Sequence, residues 1–252
     1  MKMLLALPLL LVAANVEGHS GLPHPHPLAL ASSFSHIYHQ LGKINIGNCS
    51  LANVSLSLNA TKSQLPVPSK DLTLKYVALG RGTQNYTCPS NASSDSKTTI
   101  KPKATGAAAT LFDASCIASS SLTLLHEIPA IISATPLGSL AFMATLVAQS
   151  TRSTNLIIGE HYFDSDGEPI FDMELSGSRS WIAARKIASS PAPKSRSKSS
   201  DDVPWLKLGH KKGKGIQEVY RVVTSQGDPP STCAGQKTAI QVDYAAEYWF
   251  YG

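Results

Sequence analysis

The stretch Thr238-Ala-Ile-Gln-Val-Asp-Tyr-Ala-Ala-Glu-Tyr-Trp-Phe-Tyr251 decides the fold. Ile240, Val242, Tyr244, Ala246, Tyr248 and Phe250 alternate with Ala239, Gln241, Asp243, Ala245, Glu247 and Trp249, which is the two-residue period of a strand with one buried face. Ahead of it stand Val203-Pro-Trp-Leu-Lys-Leu208 and Gln217-Glu-Val-Tyr-Arg-Val-Val-Thr224, then a Gly/Pro/Ser loop holding Cys233. These segments read as the core strands of one sheet. Upstream, Leu72-Thr-Leu-Lys-Tyr-Val-Ala-Leu79 is a strand that Gly80-Arg-Gly-Thr-Gln-Asn-Tyr-Thr-Cys88 continues with a bend, because glycine inside a strand marks a bend or a close backbone approach. Gln84, Tyr86 and Cys88 share one face of it and Asn85 takes the other.

Residues 107–113 form a short apolar strand or turn leading to Cys116. Residues 156–163 and 169–171 flank Asp164-Ser-Asp-Gly-Glu168, a hairpin signal with Asp-Gly at the turn. Residues 51–58 alternate as well until Pro66-Val-Pro68 ends the pattern. Only residues 135–148 carry a helical period, with Thr135 as N-cap, Pro136 in the first turn, and Leu137, Leu140, Ala141, Ala144 and Ala148 turned inward. The expected architecture is all-β, an antiparallel sandwich or barrel with one or two short helices.

The first residues read as a secretory signal. Met1-Lys2 is a short basic start, residues 3–12 are apolar but too short to span a bilayer, and small residues follow at Ala13, Ala14 and Gly18. Cleavage after Ala14 or after Gly18 fits. The second exposes His19, whose amine and ring are able to chelate copper, but His19, His24 and His26 stand in a Pro-rich leader with nothing to orient a metal. Residues 19–47 are expected to be a weakly structured leader and residues 48–252 a single β domain, interrupted by a flexible basic insertion at 189–202.

Export agrees with five N-glycosylation acceptors, at Asn48, Asn53, Asn59, Asn85 and Asn91. It agrees too with four cysteines, Cys49, Cys88, Cys116 and Cys233, an even number that allows three connectivities. No Cys-x-x-Cys pair is present. The formal charge of +5 is concentrated in Arg179, Arg185, Lys186, Lys194, Arg196, Lys198, Lys207, Lys211, Lys212 and Lys214, read as a solvated loop or as an attraction to an acidic polymer. No nucleic-acid-binding module is present, and the apolar run 128–148 is broken by Pro129, Pro136 and Gly138, so no membrane span is expected once the signal is removed.

The chemistry motifs are few. G-x-S-x-G, H-E-x-x-H and the P-loop are absent, and Gly80-Arg-Gly82 lacks both the third glycine and the helix of a dinucleotide fingerprint. Asp164-Ser-Asp-Gly-Glu168 is shorter than a calcium loop and is read as a turn. No metal or cofactor is expected. His161 is the histidine set in a well-patterned strand, with Glu160 on the opposite face. His161, Asp113, Gln84 and Tyr86 are the candidate site: His161 and Asp113 as candidate catalytic groups, all four as contacts to a small polar ligand.

The segments Gly80-Arg-Gly-Thr-Gln-Asn-Tyr-Thr-Cys88, Ala109-Thr-Leu-Phe-Asp113, Gly159-Glu-His-Tyr-Phe163, Val203-Pro-Trp-Leu-Lys-Leu208, Glu218-Val-Tyr-Arg-Val-Val-Thr224 and Tyr244-Ala-Ala-Glu-Tyr-Trp-Phe-Tyr251 together resemble a family of secreted fungal proteins of unknown function with bacterial relatives. Some members carry an automatic malate dehydrogenase label. The residues here do not support that chemistry, for there is neither a nucleotide fold nor an Arg/His/Asp set upon one. The resemblance implies a compact all-β domain. It also implies a pairing: the bacterial relatives keep the equivalents of Cys88 and Cys233 without the other two, so Cys88 pairs with Cys233 and Cys49 with Cys116. The functional expectation is a secreted, glycosylated, non-enzymatic binding module at a cell wall or host interface, with an extracellular polysaccharide as partner. The alternative is an extracellular glycan-directed enzyme working from a His161/Asp113/Tyr86 cleft.

Overall fold

The computed structural model describes residues 39–46, 49–58, 64–90, 100–151, 156–193 and 201–252. The signal peptide, the leader up to residue 38, the acceptors Asn48, Asn59 and Asn91, and residues 194–200 of the insertion lie outside the described residues.

Eight antiparallel strands close into a barrel, each paired with its neighbour in sequence and the last with the first. They are β1 (Leu74–Thr87), β2 (Lys103–Asp113), β3 (Ile157–Phe163), β4 (Pro169–Asp172), β5 (Trp181–Ser190), β6 (Trp205–Lys214), β7 (Glu218–Gln226) and β8 (Ala239–Tyr251). The all-β antiparallel expectation holds, in its barrel form. Helices are more numerous than the expected one or two: α1 (Ser115–Ser120), α2 (Leu122–Ile132) and α3 (Leu137–Thr151), with a 3-10 turn at Glu174–Ser176.

Closure needs small residues where large ones cross the interior. On β8 the side chains of Tyr244, Tyr248 and Phe250 point inward and are fully buried. The facing stretch of β1 answers with Ala78, Gly80 and Gly82, and β2 with Ala107 and Ala109. A Cβ on Gly80 would lie 2.4 Å from the Tyr248 ring, and one on Gly82 would lie 1.8 Å from the Ala108 carbonyl oxygen. The glycines read from the sequence as a bend are therefore places of close approach, Gly80 to the Tyr248 ring and Gly82 to the backbone of β2.

A second apolar layer lies outside the barrel. Val77, Leu79, Val222, Ala245 and Trp249 face outward from β1, β7 and β8 and are covered by Leu124, Leu125, Ile128 and Ile132 of α2. The end of β8 is consequently buried on both faces from Tyr244 onward, not on one as the alternation predicts. Residues 51–58 are an irregular segment, not a strand, and add Leu51, Val54, Leu56 and Leu58 to this outer layer. The Cys49–Cys116 disulfide ties that segment to α1, and Cys88–Cys233 ties the end of β1 to the loop before β8, which is the pairing the resemblance implies.

The expected helix at 135–148 exists as α3 but sits differently. Of the residues assigned to its inward face only Ala148 is buried, and Leu137, Phe142, Met143 and Leu146 are exposed. Thr135 does not cap it: its hydroxyl donates back to the Ile131 carbonyl at 3.1 Å. The basic run is also placed differently. Arg185 and Lys186 lie in β5, and Lys207, Lys211, Lys212 and Lys214 in β6, so six of the ten residues that read as a solvated loop are in the sheet.

Candidate functional site

The barrel has an upper end, where β1 finishes and β8 begins, and a lower end, where Thr73 and Gly252 exchange backbone hydrogen bonds. Gln84 and Tyr86 reach the upper end on the inward face of β1, as their spacing predicts. The Tyr86 hydroxyl donates to the Gly227 carbonyl at 2.7 Å. Gly227 (φ +99) is packed so closely against Gln84, Tyr244 and Val203 that a Cβ there would meet all three at about 3 Å, so the loop after β7 plugs this mouth, and the Cys88–Cys233 disulfide holds its far side. Burial, helped by the nearby Asp228 charge, pushes the Tyr86 hydroxyl up to about 12.

His161 stands lower on β3, directly opposite Ala109 and Phe171. Its ring stacks on Phe171 with centroids 4.1 Å apart, and its Nδ1 donates to the Ile170 carbonyl at 2.8 Å. Complete burial lowers its pKa to about 4, against the raising effect of that hydrogen bond and with a small further lowering from Arg221. The ring is therefore neutral across the physiological range. Desolvation outweighs the hydrogen bond, so His161, read from the sequence as a candidate catalytic group, is not poised to exchange a proton near neutral pH.

Asp113 does not join the others. It pairs with Ala78 near the lower end of the barrel, six residues from Gln84 along β1, or about 20 Å at the rise of a strand. Its carboxylate accepts the Ser115 backbone N–H at 2.9 Å, at the entrance to α1. A cleft shared by His161, Asp113 and Tyr86 is not assembled.

Other residues take the vacant places. Arg221 points inward from β7, is 8 % exposed, and donates through Nη2 to the Pro204 carbonyl at 2.9 Å. Its charge is felt by Tyr86, His161, Tyr244, Tyr248 and Asp228. The Tyr244 and Tyr248 hydroxyls are 2.8 Å apart, and burial raises both pKa values. Gln84 sits near enough to Tyr244 to favour its ionised form. Yet Gln84 Nε2 has no partner at hydrogen-bonding geometry, and neither has Arg221 Nε. Both are buried donors, and a buried donor without an acceptor costs its full desolvation. At the bulge where β7 passes this site Val223 has φ 45, a costly conformation for a β-branched residue, and the next residue, Thr224, turns to donate to the Val203 carbonyl at 2.7 Å.

Sequence reasoning missed Arg221, Tyr244 and Tyr248. Their parity places them inward, but parity does not separate a filler from a contact. It missed a second polar group as well. Glu247, on the outer face of β8, is fully buried and accepts from Trp249 Nε1 at 3.0 Å and pairs with His126 Nδ1 of α2 at 2.7 Å. The hydrogen bond to Glu247 raises the His126 pKa, and burial raises that of Glu247. Beside them Arg81 Nε donates to the Ile132 and Thr135 carbonyls at the end of α2, while its Nη2 meets Asp243 at 3.0 Å. These groups pin the helix to the wall of the barrel.

Among the described residues no cluster of three or more His, Cys, Asp or Glu side chains is placed to hold a metal ion, and no helix is long and apolar enough to cross a membrane. No curated protein and no solved structure matches the chain. A family model does match, over residues 68–252, which is the whole barrel, and the chain accordingly belongs to DUF3455, a family of proteins of unknown function.

Proposed function

We propose that this is an exported, N-glycosylated binding protein of the fungal type implied by the resemblance, a non-enzymatic module working at a cell wall or host interface. Its ligand is small and rich in oxygen acceptors, a saccharide being the natural class, and occupies the upper interior among Gln84, Tyr86, Arg221, Tyr244 and Tyr248. The observation that carries this reading is the pair of buried donors, Gln84 Nε2 and Arg221 Nε, turned into a barrel interior without acceptors of their own. A ligand hydroxyl or carboxylate supplies what they lack, and the neighbouring tyrosine rings supply apolar walls. Export is supported by the leader and by disulfide pairing of all four cysteines. The acceptor Asn53 is exposed, and Asn85 is half-buried on the outward face, so a sugar there leaves the interior untouched. The glycan-directed enzyme has less support, because Asp113 is engaged at the other end of the barrel.

Gln84→Met tests the reading. A glutamine amide that waits for a ligand has little to lose in its absence, so the variant should keep the parent melting temperature or exceed it, while losing the stabilisation that a bound saccharide gives the parent. If Gln84 is a structural member of the interior instead, the variant loses roughly 1 to 3 kcal/mol by denaturant unfolding, and the reading fails.

A further inference from the structure

The loop that closes the upper mouth is fastened to the residues just before β6. The Val203 N–H donates to the Gln226 carbonyl at 3.1 Å, and the Asp228 N–H to the Asp201 carbonyl at 3.0 Å. Between these two bonds residues 202 and 227 form an antiparallel bridge, and the Asp202 carboxylate accepts the Gln226 N–H at 2.7 Å. The barrel interior reaches the loop through the Tyr86 hydroxyl, which donates to the Gly227 carbonyl at 2.7 Å. Gly227 itself packs against Gln84 and Tyr244. The Gly227 carbonyl therefore takes, on Tyr86, the place of a ligand oxygen, and its backbone lies against two more of the side chains assigned to the ligand. A ligand in the upper interior and the closed loop exclude each other.

Two features work against the closed position. Val223 (φ 45) and Gln226 (φ 63) both stand in the left-handed region that side chains disfavour, so the chain is strained where it enters the loop. The fastening also gathers like charges. Burial raises the Asp202 pKa, against the hydrogen bond from Gln226, and the Asp201 charge adds to the rise. Burial raises that of Asp228, and the Asp201 and Asp202 charges raise it further. Strained backbone and crowded carboxylates make a closure that opens at small cost relative to the barrel. Its two ends are firm: Thr224 donates to the Val203 carbonyl at 2.7 Å, and Cys233 is tied to Cys88. Between them Pro229 and Pro230 hold their own φ and have no N–H to bond, so the segment is stiff enough to turn as one piece.

We propose that residues 226–232 are an autoinhibitory plug, latched by Asp202, that swings aside to admit the interior ligand. In the closed state the Gly227 carbonyl satisfies Tyr86. On opening, the bonds to residues 201–203 break together, Tyr86 is released, and a ligand oxygen takes the place of the carbonyl. The plug rests on the reading of the upper interior as a ligand site and adds to it how that site is regulated.

Native-state hydrogen exchange tests the plug without a ligand. The amides of Val203, Gln226 and Asp228 should exchange through one shared opening, well ahead of the amides in the β7–β8 ladder below them. Asp202→Ala should speed exchange at Val203 and Asp228, whose own acceptors it leaves untouched, roughly tenfold or more, as loss of a hydrogen bond to a charged group does. Asp202→Asn, which keeps an acceptor oxygen, should restore most of the protection. Glucose, mannose and N-acetylglucosamine serve as ligand probes. A sugar that binds the parent should bind Asp202→Ala more tightly, by the factor by which the open population has risen, and Asp202→Asn about as the parent. Independent exchange of the three amides, or affinity indifferent to Asp202→Ala while exchange accelerates, overturns the plug and leaves the interior reading standing. Failure of every sugar to stabilise both the parent and Asp202→Ala, whose mouth is the more open, overturns the interior reading and the plug with it.

Discussion

The two halves of the barrel wall are built alike and finished differently. The outer face of β7, β8 and β1 lies beneath α2 and the segment 51–58, and Val77, Leu79, Tyr220, Val222 and Trp249 on it are buried. The outer face of β3, β4, β5 and the lower part of β6 has no such cover and keeps Trp181, Tyr162 and Ile187 in solvent. Burial on the covered half carries a cost in polar groups. Arg81 and Glu247 are 4 % and 0 % exposed, and each has been given partners drawn from the covering helix. A charge that must be paired to be tolerated makes α2 fit in one place only, so the covered half is held by specific chemistry as well as by apolar area. The bare half needs none of this. Its charged residues are exposed, and its aromatics add little to the fold.

The most direct way to break that contrast is Arg81→Leu. The guanidinium bonds the Ile132 and Thr135 carbonyls, its own strand at Gly82, and Asp243. Leucine would take the Arg81 donor from the Thr135 carbonyl and leave the Ile132 carbonyl with the Thr135 N–H alone. A loss of about 1 to 3 kcal/mol in urea unfolding is expected, the cost of a buried carbonyl left without its donor, because the Asp243 carboxylate left behind is 60 % exposed, with α2 becoming the first segment to exchange its amide protons. A loss below 1 kcal/mol would mean that the helix is held by its apolar face alone.

Two histidines sharpen the contrast through pH. His161, inside the barrel, has its folded pKa depressed to about 4 from an ordinary value of 6.5. Its neutral form is the one the fold accepts. The stability it contributes is complete above pH 6.5 and disappears as pH falls toward 4, on the order of 3 kcal/mol in all. His126, on the covered wall, has its pKa raised by the bond to Glu247. Its contribution is complete below pH 6.5 and fades as pH rises through the raised value, and it is smaller because the ring is 42 % exposed. Melting temperatures recorded from pH 4 to 8 should therefore fall on the acid side, and His161→Asn, which keeps a donor for the Ile170 carbonyl, should flatten that limb. An unchanged acid limb in the variant would remove His161 as its source.

These elements also show what the sequence could reveal. Strands β1, β3, β4, β6, β7 and β8 were legible because period-2 patterning survives wherever one face meets the packed interior. Closure of the sheet was not legible, since it depends on how Gly80 admits the Tyr248 ring of β8 and Gly82 lies against the backbone of β2, relations between distant segments. Strand β5 was missed for a related reason: Trp181-Ile-Ala-Ala-Arg-Lys-Ile-Ala-Ser-Ser190 runs through small residues and charges into a Ser/Pro/Lys tract and resembles the start of a loop. Helix α2 was hidden by Pro129, which interrupts the pattern of the sequence but not the helix, and α1, six residues long, is too short to show a helical period. Within the site, Gln84 and Tyr86 followed from strand parity, whereas Arg221 reads as an ordinary charge in a β-branched run. Asp113 failed as a site residue because its use is local, on the Ser115 N–H two residues away.

The smallest expected effect is the one that separates the two halves most cleanly. If Trp181 adds little to the fold, Trp181→Ala should change unfolding free energy by no more than about 0.5 kcal/mol, the range for surface positions outside special features. Trp249→Ala, at the equivalent depth of layer on the covered half, removes a fully buried indole and the donor to Glu247 and should cost about 3 to 5 kcal/mol. Both are tryptophans on outward-facing strand positions, so size and propensity are the same and only the covering differs. A loss above 2 kcal/mol for Trp181→Ala would show that its ring supports the lower edge of the fold, where the Trp181 backbone passes against Gly213 and bridges to Gly215. In that case its exposure reflects incomplete packing.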